Sequence, residues 1–393
     1  MKLSYKNLVV GIGTMLIAAT AAEATPAFAK QTDMSCMACH YQNIPKLNSF
    51  GREFKLSAYT MVGTKEIKAE QTGGLALPST LNFGFVTKAR VLKEGDTDLK
   101  TEIFDEAAFI FGGKIADGVG TSMEFGEGLI GGKIAFTKET SAGRVGLTYF
   151  MTDALGAFSG TEVYSTGLYR PVRQFENRKK ANIFQKLGMG AGAATGIQAY
   201  YSGYGLVATV GQYAPAMANS AVTDFTFKTL ARASYNMNIA GFDMALGGYY
   251  LGGDVTELVA MNAGNDKVHE VDVDALDRES TGLDLQIEGD VAGMPLMLTA
   301  GYVLTNTYSN DTADMTGFSA GVQVNPLDVL GLKAGMLMTS DNTSGEGGET
   351  SMIVGTDYMY AQNVRLCLEV SNTSFEDGTD SEVDILFMSM IAF

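Results

Sequence analysis

The sequence is poor in the residues that build zinc sites and in the long apolar runs that build membrane helices. Its 393 residues include only three cysteines, two histidines and seven prolines, and tryptophan is absent. One Cys/His group lies near the N-terminus, and no second pair completes a four-ligand zinc site. Beyond Ala29 no apolar run is long enough for a membrane helix. A soluble β protein or an outer-membrane barrel remains for the bulk of the chain.

Basic residues are also scarce, with 28 Lys and Arg against 44 Asp and Glu and a formal net charge of −16. So acidic a chain is a poor candidate for nucleic-acid binding, but it attracts cations. Acidic runs at 272–277 and 376–382 contain carboxylates that suit a divalent cation. The first run lacks the glycine and the terminal glutamate of an EF-hand loop, which favours solvated loops. There is no P-loop and no convincing Ser-His-Asp arrangement.

Two of the cysteines and one of the histidines fall in a single pentapeptide, Cys36-Met37-Ala38-Cys39-His40. This is the Cys-x-x-Cys-His pattern of c-type haem attachment. Each thiol adds to one haem vinyl group, and the histidine donates its imidazole to the iron. We therefore predict one haem c, bound covalently to Cys36 and Cys39, with His40 as an axial ligand.

The first 29 residues have the pattern of a secretory signal peptide. Lys2 and Lys6 form the charged start, an apolar stretch runs from Leu8 to about Ala22, and Ala27-Phe28-Ala29 is a small-x-small cleavage site. The pattern predicts a mature chain that begins at Lys30. A retained membrane anchor is the alternative, although the apolar run is short for a spanning helix. Export agrees with the haem motif, because bacteria attach c-type haem outside the cytoplasm.

Apolar and polar residues alternate with period two from about Leu81 to the end of the chain. In the run 283–288, for example, Leu283, Leu285 and Ile287 alternate with polar residues. Because successive strand residues face opposite sides, each such run predicts a strand with one apolar and one polar face. The run 364–371 contains the third cysteine, Cys367, which we expect to be a small packed residue.

Three features favour a transmembrane barrel over a soluble sandwich. The longer runs approach the length of about ten residues that a tilted strand needs to cross a bilayer. Several connections, such as 340–350, are long and acidic, and the last strand ends on Phe393 like the C-terminal strands of bacterial outer-membrane proteins. At roughly 20 residues per strand and connection, residues 76–393 predict an all-β, antiparallel barrel of about 16 strands.

Residues 30–75, between the signal peptide and the barrel, are predicted to form a short helical segment that carries the haem. A chain of about 40 residues seldom builds its own core without a metal, a disulfide or a partner. Ile44, Leu47, Phe50 and Phe54 fall near helical spacing, so one helix can lay an apolar face on the haem. One helix covers only part of a haem. We therefore expect the segment to sit in the periplasmic mouth or the lumen of the barrel.

Residues 26–60 resemble the fused cytochrome–porins, which are outer-membrane monohaem cytochromes of iron-oxidising bacteria. The similarity lies in PAFAKQTDMSCMACH from Pro26 to His40, PKLNSFGREFKL from Pro45 to Leu56, and Tyr59-Thr60. The resemblance implies that Cys36, Cys39 and His40 carry the haem, and that the residues packing around it include Pro45, Phe50, Gly51 and Phe54. It also implies an iron(II) oxidase in the Gram-negative outer membrane that passes electrons inward.

The sixth iron ligand is a separate question. A second histidine would have to be His269, which lies in an acidic stretch and is expected to be an exposed loop residue. Met61 follows the predicted helix, where the chain can fold back over the haem. Since the chain has 21 methionines, the alternative role for Met61 is packing. A thioether ligand raises the haem potential, which suits a haem that takes an electron from iron(II).

Three functions use these parts. In the first, extracellular iron(II) gives an electron to the single haem, and the haem passes that electron to a periplasmic cytochrome. The barrel itself lies in the outer-membrane lipid. The alternative is a haem-plugged porin for diffusion or transport, and the third is electron export to an external acceptor. A plain diffusion pore needs no haem, which favours electron transfer, but one haem serves either direction of electron flow.

Overall fold

The computed structural model describes residues 27–42, 47–61, 66–67, 77–79, 82–126, 129–152, 174–187, 194–214, 227–253, 279–306, 314–341 and 348–393. Within these ranges the helices are α1 (Ala27–Thr32), α2 (Cys36–Cys39), α3 (Ser49–Leu56), the 3₁₀ helix η1 (Arg178–Lys180) and α4 (Ile183–Lys186). In this described part of the chain, no helix is long and apolar enough to cross a membrane.

Strands make up most of the described chain. Two short strands, β1 (Glu66–Ile67) and β2 (Leu77–Pro78), pair with each other. The longer strands are β3 (Phe83–Lys93), β4 (Lys100–Ala116), β5 (Val119–Gly126), β6 (Leu129–Thr140), β7 (Gly143–Thr152), β8 (Ala194–Gly203), β9 (Leu206–Ala214), β10 (Lys228–Ile239), β11 (Phe242–Gly252), β12 (Glu279–Val291), β13 (Met294–Asn306), β14 (Met315–Leu327), β15 (Leu330–Asp341), β16 (Glu349–Ala361), β17 (Val364–Phe375) and β18 (Glu382–Ala392).

The sixteen longer strands form one closed antiparallel barrel. Each pairs with its neighbours in sequence, and β18 closes the ring by pairing with β3, from Ile385 opposite Lys93 to Ala392 opposite Val86. The Phe393 N–H extends this seam by donating to the Phe85 carbonyl oxygen at 2.8 Å. The predicted fold class, a large antiparallel barrel with a short N-terminal helical region, is confirmed.

The alternation of side chains divides the barrel into an apolar outside and a polar inside. On β12, Leu283 points outward and is 59% exposed, whereas its neighbour Asp284 is 2% exposed in the lumen. On β17, Leu368 lies on the outside, while Arg365 and Cys367 are buried inside. Cys367 is therefore packed, as expected. An apolar outer face over a polar lumen is the arrangement of a barrel that crosses lipid.

The two ends of the barrel differ in the length of their connections. At one end, called here the short-turn end, the turns include Tyr204-Gly205, Ala240-Gly241 and Ala292-Gly293. Both residues of each turn have positive φ, with values from 52° to 85°. This is the geometry of tight hairpins that follow the strand twist. The long connections, 153–193 and 253–278, leave the opposite end. In bacterial barrels the short turns face the periplasm.

Residues 174–187, called here the inner segment, lie inside the barrel although they belong to the long connection between β7 and β8. Ile183 and Phe184 of α4 join one apolar cluster with Tyr249, Val303 and Leu337 of the barrel wall. Because these wall residues come from three different strands, the inner segment crosses the lumen and does not follow one strand.

Buried charges fix the other end of the inner segment to the wall. Glu369 accepts hydrogen bonds from the Glu176 and Asn177 N–H groups, both at 2.8 Å. The Glu176 carboxylate pairs with Arg365 at 2.8 Å, and Lys333 Nζ donates to the Gln174 carbonyl oxygen at 2.6 Å. Separating such a buried pair leaves a charge without its partner, which costs free energy. These contacts therefore hold the inner segment in one position.

Candidate functional site

The Cys-x-x-Cys-His sequence forms one helical turn followed by an extended residue. α2 contains both cysteines, and the His40 N–H donates to the Cys36 carbonyl oxygen at 3.0 Å. His40 then extends, with φ −109° and ψ 150°, and forms an isolated β-bridge with Leu47. Residues three apart in a helix lie on the same side. The backbone therefore allows two thioether bonds to one macrocycle and an imidazole ligand from the next residue.

The donor groups of this turn fit a covalent haem better than a bare metal ion. Cys36 and Cys39 are both free and partly buried, and burial raises the pKa of each thiol above its usual value. The neighbouring Met34 and Met37 are exposed and add apolar surface. In the ranges that the structure covers, no three His, Cys, Asp or Glu residues group into a metal site. Two thiols, one imidazole and an apolar border suit haem c.

α3 packs against α2 through backbone contacts that only a small residue permits. Asn48 caps α3 by accepting from the Gly51 N–H at 2.9 Å, and its amide donates to the Ala38 carbonyl oxygen at 3.0 Å. The Asn48 N–H donates to the Cys39 carbonyl oxygen, also at 3.0 Å. A Cβ at Gly51 would overlap that carbonyl. Gly51 therefore supports the cysteine turn by letting α3 approach it.

The predicted haem-packing residues take different positions around this contact. Leu47 and Phe50 are both partly exposed, and Leu47 lies beside Gly51 where that residue approaches Cys39, so both can offer apolar surface to a haem plane. Pro45 lies outside the described residues. That Leu47 and Phe50 pack against a haem stays a prediction.

Phe54 belongs to a small aromatic core. It is buried, and its ring lies edge-on to Phe28 and Tyr59, each at a centroid distance of 5.7 Å. Phe28 and Tyr59 stack on each other at 4.5 Å. This trio gives the short N-terminal segment, residues 27–61, a core of its own beside the haem motif.

The two residues after His40 fasten the motif to the barrel wall. The Tyr41 hydroxyl donates to the carbonyl oxygens of Gly289 and Leu296, at 2.7 and 3.0 Å. Burial and the Asp290 carboxylate raise the pKa of Tyr41 to about 12, so the hydroxyl keeps its proton. Gln42, at φ 60°, donates to the carbonyl oxygens of Pro295 and Gln323, both at 3.0 Å. The wall from β12 to β14 therefore fixes the backbone next to His40.

α3 is held to the wall by a buried ion pair. Arg52 Nη1 lies 2.7 Å from Glu288 Oε1, and both side chains are almost fully buried. The same nitrogen donates to the Leu47 carbonyl oxygen at 3.1 Å. The Tyr200 hydroxyl of β8 donates to the Leu56 carbonyl oxygen at 2.8 Å. Two parts of the wall, four strands apart, thus hold the same helix.

These contacts lie at the short-turn end of the barrel. Gly289 and Leu296 flank the Ala292-Gly293 turn, and the Ala58 carbonyl lies close to Gly120 beside the turn between β4 and β5. A cavity of about 460 Å³ remains between α3 and the rim, lined by Arg52, Glu53, Arg144 and other residues. The N-terminal segment therefore occupies the short-turn mouth, as the sequence led us to expect.

Met61 and His269 are the two candidates for the sixth iron ligand. Met61 follows α3 and its turn, is 42% exposed, and its N–H donates to Ser57 Oγ at 2.9 Å. His269 lies outside the described residues. Met61 as the sixth ligand stays a prediction.

Sequence reasoning missed the residues that hold the motif in place, namely Tyr41, Gln42 and Arg52. The partners of Tyr41 and Gln42 are backbone carbonyls more than 200 residues away. The sequence contained one indication for Arg52: it is a charged residue beside the apolar face of a helix that we expected to lie in the mouth or lumen of the barrel. That signal was not specific enough to identify Glu288.

No protein-family model and no curated protein matches the sequence. Solved structures do match. A loop-deletion mutant of OmpT from Vibrio cholerae is 14% identical with a TM-score of 0.52, and the match covers 80% of this chain and 99% of that one. An anion-selective porin from Comamonas acidovorans is 9% identical with a TM-score of 0.50, and that match covers 80% of this chain and 99% of the porin.

These likenesses concern the fold. They agree with a porin-like barrel, which was the alternative interpretation of the sequence, better than with the first one. They carry no support for a haem, for iron(II) oxidation or for the fused cytochrome–porins in particular.

Proposed function

We propose that the protein is a porin-like barrel of the outer membrane whose short-turn mouth carries one haem c. In this proposal iron(II) is the electron donor and a periplasmic cytochrome is the electron acceptor. The observation that carries the proposal is the attachment of the Cys36–His40 turn to the barrel wall through Tyr41 and Gln42. If the short turns face the periplasm, a soluble carrier can reach this mouth.

Each of the predicted site residues has a separate role in this proposal. The haem, when bound, supplies a one-electron carrier. Cys36 and Cys39 would hold it covalently, His40 would bind its iron, and Met61 is the candidate for a second ligand, whose thioether would raise the potential. One electron leaves each iron(II), which becomes iron(III), and a cytochrome at the mouth removes that electron.

Iron(II) reaches the haem from the other end of the barrel. Exposed carboxylates at that end include Glu94, Asp96, Asp98, Asp377 and Asp380. Asp377, like the others, is charged at neutral pH, and hydrogen bonds from Thr379 lower its pKa further below the usual value. Such charges raise the local concentration of a divalent cation. We therefore expect iron(II) oxidation to slow as ionic strength rises, because salt screens this attraction.

Anaerobic titration of the purified, oxidised protein with iron(II) tests the proposal. The haem absorbance should change to that of the reduced form, and dithionite serves as the positive control. A variant with Cys36→Ala and Cys39→Ala should lose the covalent haem stain on denaturing gels and should show no such change. A haem that dithionite reduces but iron(II) does not, at any ionic strength, would overturn the iron(II) oxidase.

Transport is the second candidate, and the likeness to porins favours it. Bilayer recordings of the whole protein separate the two candidates. Ionic conductance that rises when Cys36 and Cys39 are substituted, together with no reduction by iron(II), indicates a porin plugged by its haem-bearing N-terminal segment. Reduction of an external acceptor by the pre-reduced protein, without oxidation of iron(II), indicates electron export.

A further inference from the structure

One row of the barrel wall, called here the shared row, bonds both of the segments that lie inside the barrel. Its four residues face one another across successive strands: Glu288 of β12, Met297 of β13, Gln323 of β14 and Lys333 of β15. All four are buried, with exposed fractions of at most 4%. Opposite residues of an antiparallel sheet have Cα atoms about 5 Å apart, so the row spans about 15 Å. Groups bound along it are therefore close neighbours.

The N-terminal segment binds the β12 to β14 part of the shared row. Arg52 of α3 pairs with Glu288 at 2.7 Å. The Gln42 amide donates to the Gln323 carbonyl oxygen at 3.0 Å. Gln42 lies two residues after His40, so this part of the row fixes the chain beside the predicted haem ligand.

The inner segment binds the β13 to β15 part of the same row. Gln174 is fully buried, and its amide donates to the Met297 carbonyl oxygen at 3.3 Å. Its backbone carbonyl oxygen accepts from Lys333 Nζ at 2.6 Å. The Thr299 hydroxyl donates to the Gln174 side-chain oxygen at 3.1 Å, and a Cβ at Gly321 would overlap that oxygen. The wall is thus shaped to hold this amide beside Met297.

An apolar cluster connects the two segments a second time. Leu56, the last residue of α3, is fully buried in the same cluster as Ile183 and Phe184 of the inner segment. The Phe184 ring packs edge-on against Tyr249 of the wall, at a centroid distance of 5.4 Å. Because a buried core is closely packed, a shift of one segment changes the space that remains for the other.

We propose that the inner segment positions the haem motif, and that Gln174 and Thr299 are the positioning residues. Their bonds to each other and to Met297 fix the lumen face of β13. Fixing that face holds the neighbouring carbonyl oxygens where Tyr41 and Gln42 bond them. Displacement of the inner segment therefore loosens the N-terminal segment and shifts the haem potential. The shift in potential rests on the proposed haem, whereas the coupling between the two segments does not.

This coupling links the two mouths of the barrel. The inner segment belongs to the connection between β7 and β8, which leaves the barrel at the end opposite the haem motif. By thermodynamic linkage, the N-terminal segment acts on the inner segment by the same factor as the inner segment acts on it. Both directions are measurable.

Hydrogen exchange of the whole purified protein, read by mass spectrometry, tests the coupling without iron(II). Gln174→Met keeps a similar side-chain volume but removes the hydrogen bonds of the amide, and Thr299→Val removes only the hydroxyl. We expect each variant to speed exchange in peptides that cover α3 by about fivefold, the lower limit of typical coupling between sites. Thr305→Val is the matched control, because Thr305 lies on the same strand, is 2% exposed and bonds Ser280. It should leave exchange in α3 unchanged.

The reverse direction is tested with Tyr41→Phe, which weakens the attachment beside His40. We expect this variant to speed exchange of the Glu176 and Asn177 N–H groups, which donate to Glu369. Faster exchange in the inner segment of Gln174→Met without faster exchange in α3 overturns the proposal. An equal effect of Thr305→Val on α3 overturns it as well.

The haem midpoint potential supplies a readout that a purely structural role would not change. Titration with dithionite and redox mediators should give a shifted potential for Gln174→Met and Thr299→Val, and the parent value for Thr305→Val. An unchanged potential in the first two variants overturns the positioning role. Failure of iron(II) to reduce the haem removes the iron(II) oxidase instead, because neither exchange nor this titration uses iron(II).

Discussion

At Gly51 the absence of a side chain sets how closely α3 approaches the cysteine turn, since a Cβ there would overlap the Cys39 carbonyl. We predict that Gly51→Ala separates the two helices and destabilises the N-terminal segment by about 1–3 kcal/mol, the usual cost of overpacking. Haem content per protein and the rate of limited proteolysis before Phe83 measure the effect. Ser49→Ala, at an exposed position of the same helix, is the control and should change neither value. Equal haem content in the two variants would contradict the prediction.

A substitution at Tyr41 tests whether its contacts with the barrel wall position the neighbouring residue His40, the predicted haem ligand. Tyr41→Phe removes the hydroxyl that bonds Gly289 and Leu296 and should cost about 1 kcal/mol, because two wall carbonyls lose their donor. We expect the segment to be cleaved faster by protease and the haem midpoint potential to shift. Tyr204→Phe is the matched control, because Tyr204 is 80% exposed at a turn. If both variants keep the parent potential, Tyr41 does not position His40.

At the scale of elements, α3 depends on one buried pair and one exposed pair, and the two should differ in strength. Arg52→Ala leaves Glu288 buried without its cation and should destabilise the docked segment by about 3–5 kcal/mol. Arg144→Ala breaks half-exposed pairs with Glu53 and Glu139 and should cost about 0–1 kcal/mol. Denaturant titration, followed by protease resistance of the N-terminal segment, measures both losses.

The double variant Arg52→Met with Glu288→Met supplies the control for that comparison. It removes both charges and keeps similar volume, so it should recover most of the stability that Arg52→Ala loses. A double variant as unstable as Arg52→Ala would mean that packing, and not the unpaired charge, causes the loss.

At the scale of the whole molecule, closure of the barrel depends on its last strand. Deleting residues 389–393 removes the part of β18 that pairs with β3 from Val86 to Ala89, and with it the bonds of Phe393 to Phe85. An open edge in lipid leaves backbone groups without partners. We expect the truncated chain not to insert, as judged by loss of heat-modifiable mobility on gels. Normal heat-modifiable insertion of the truncated chain would argue against a closed barrel.

The sequence predicted what depends on local pattern. Alternation at Leu283 and Asp284 reports which side chain faces outward, because that depends only on neighbouring residues. The Cys-x-x-Cys-His motif could also be recognised from the sequence, since Cys36, Cys39 and His40 are close together in the chain. The inner segment could not, because its partners, such as Glu369, lie in a distant strand.

The bonds of Tyr41 have a consequence for the order of assembly. Its hydroxyl is 248 residues from Gly289 along the chain, and its partner carbonyls exist as a pair only once β12 and β13 have formed their hairpin. Gln42 needs β14 as well. Contacts so distant in sequence form late, since a very long loop must close first. The N-terminal segment is therefore synthesised before β12 to β14, yet it can reach its native position only after those strands have paired.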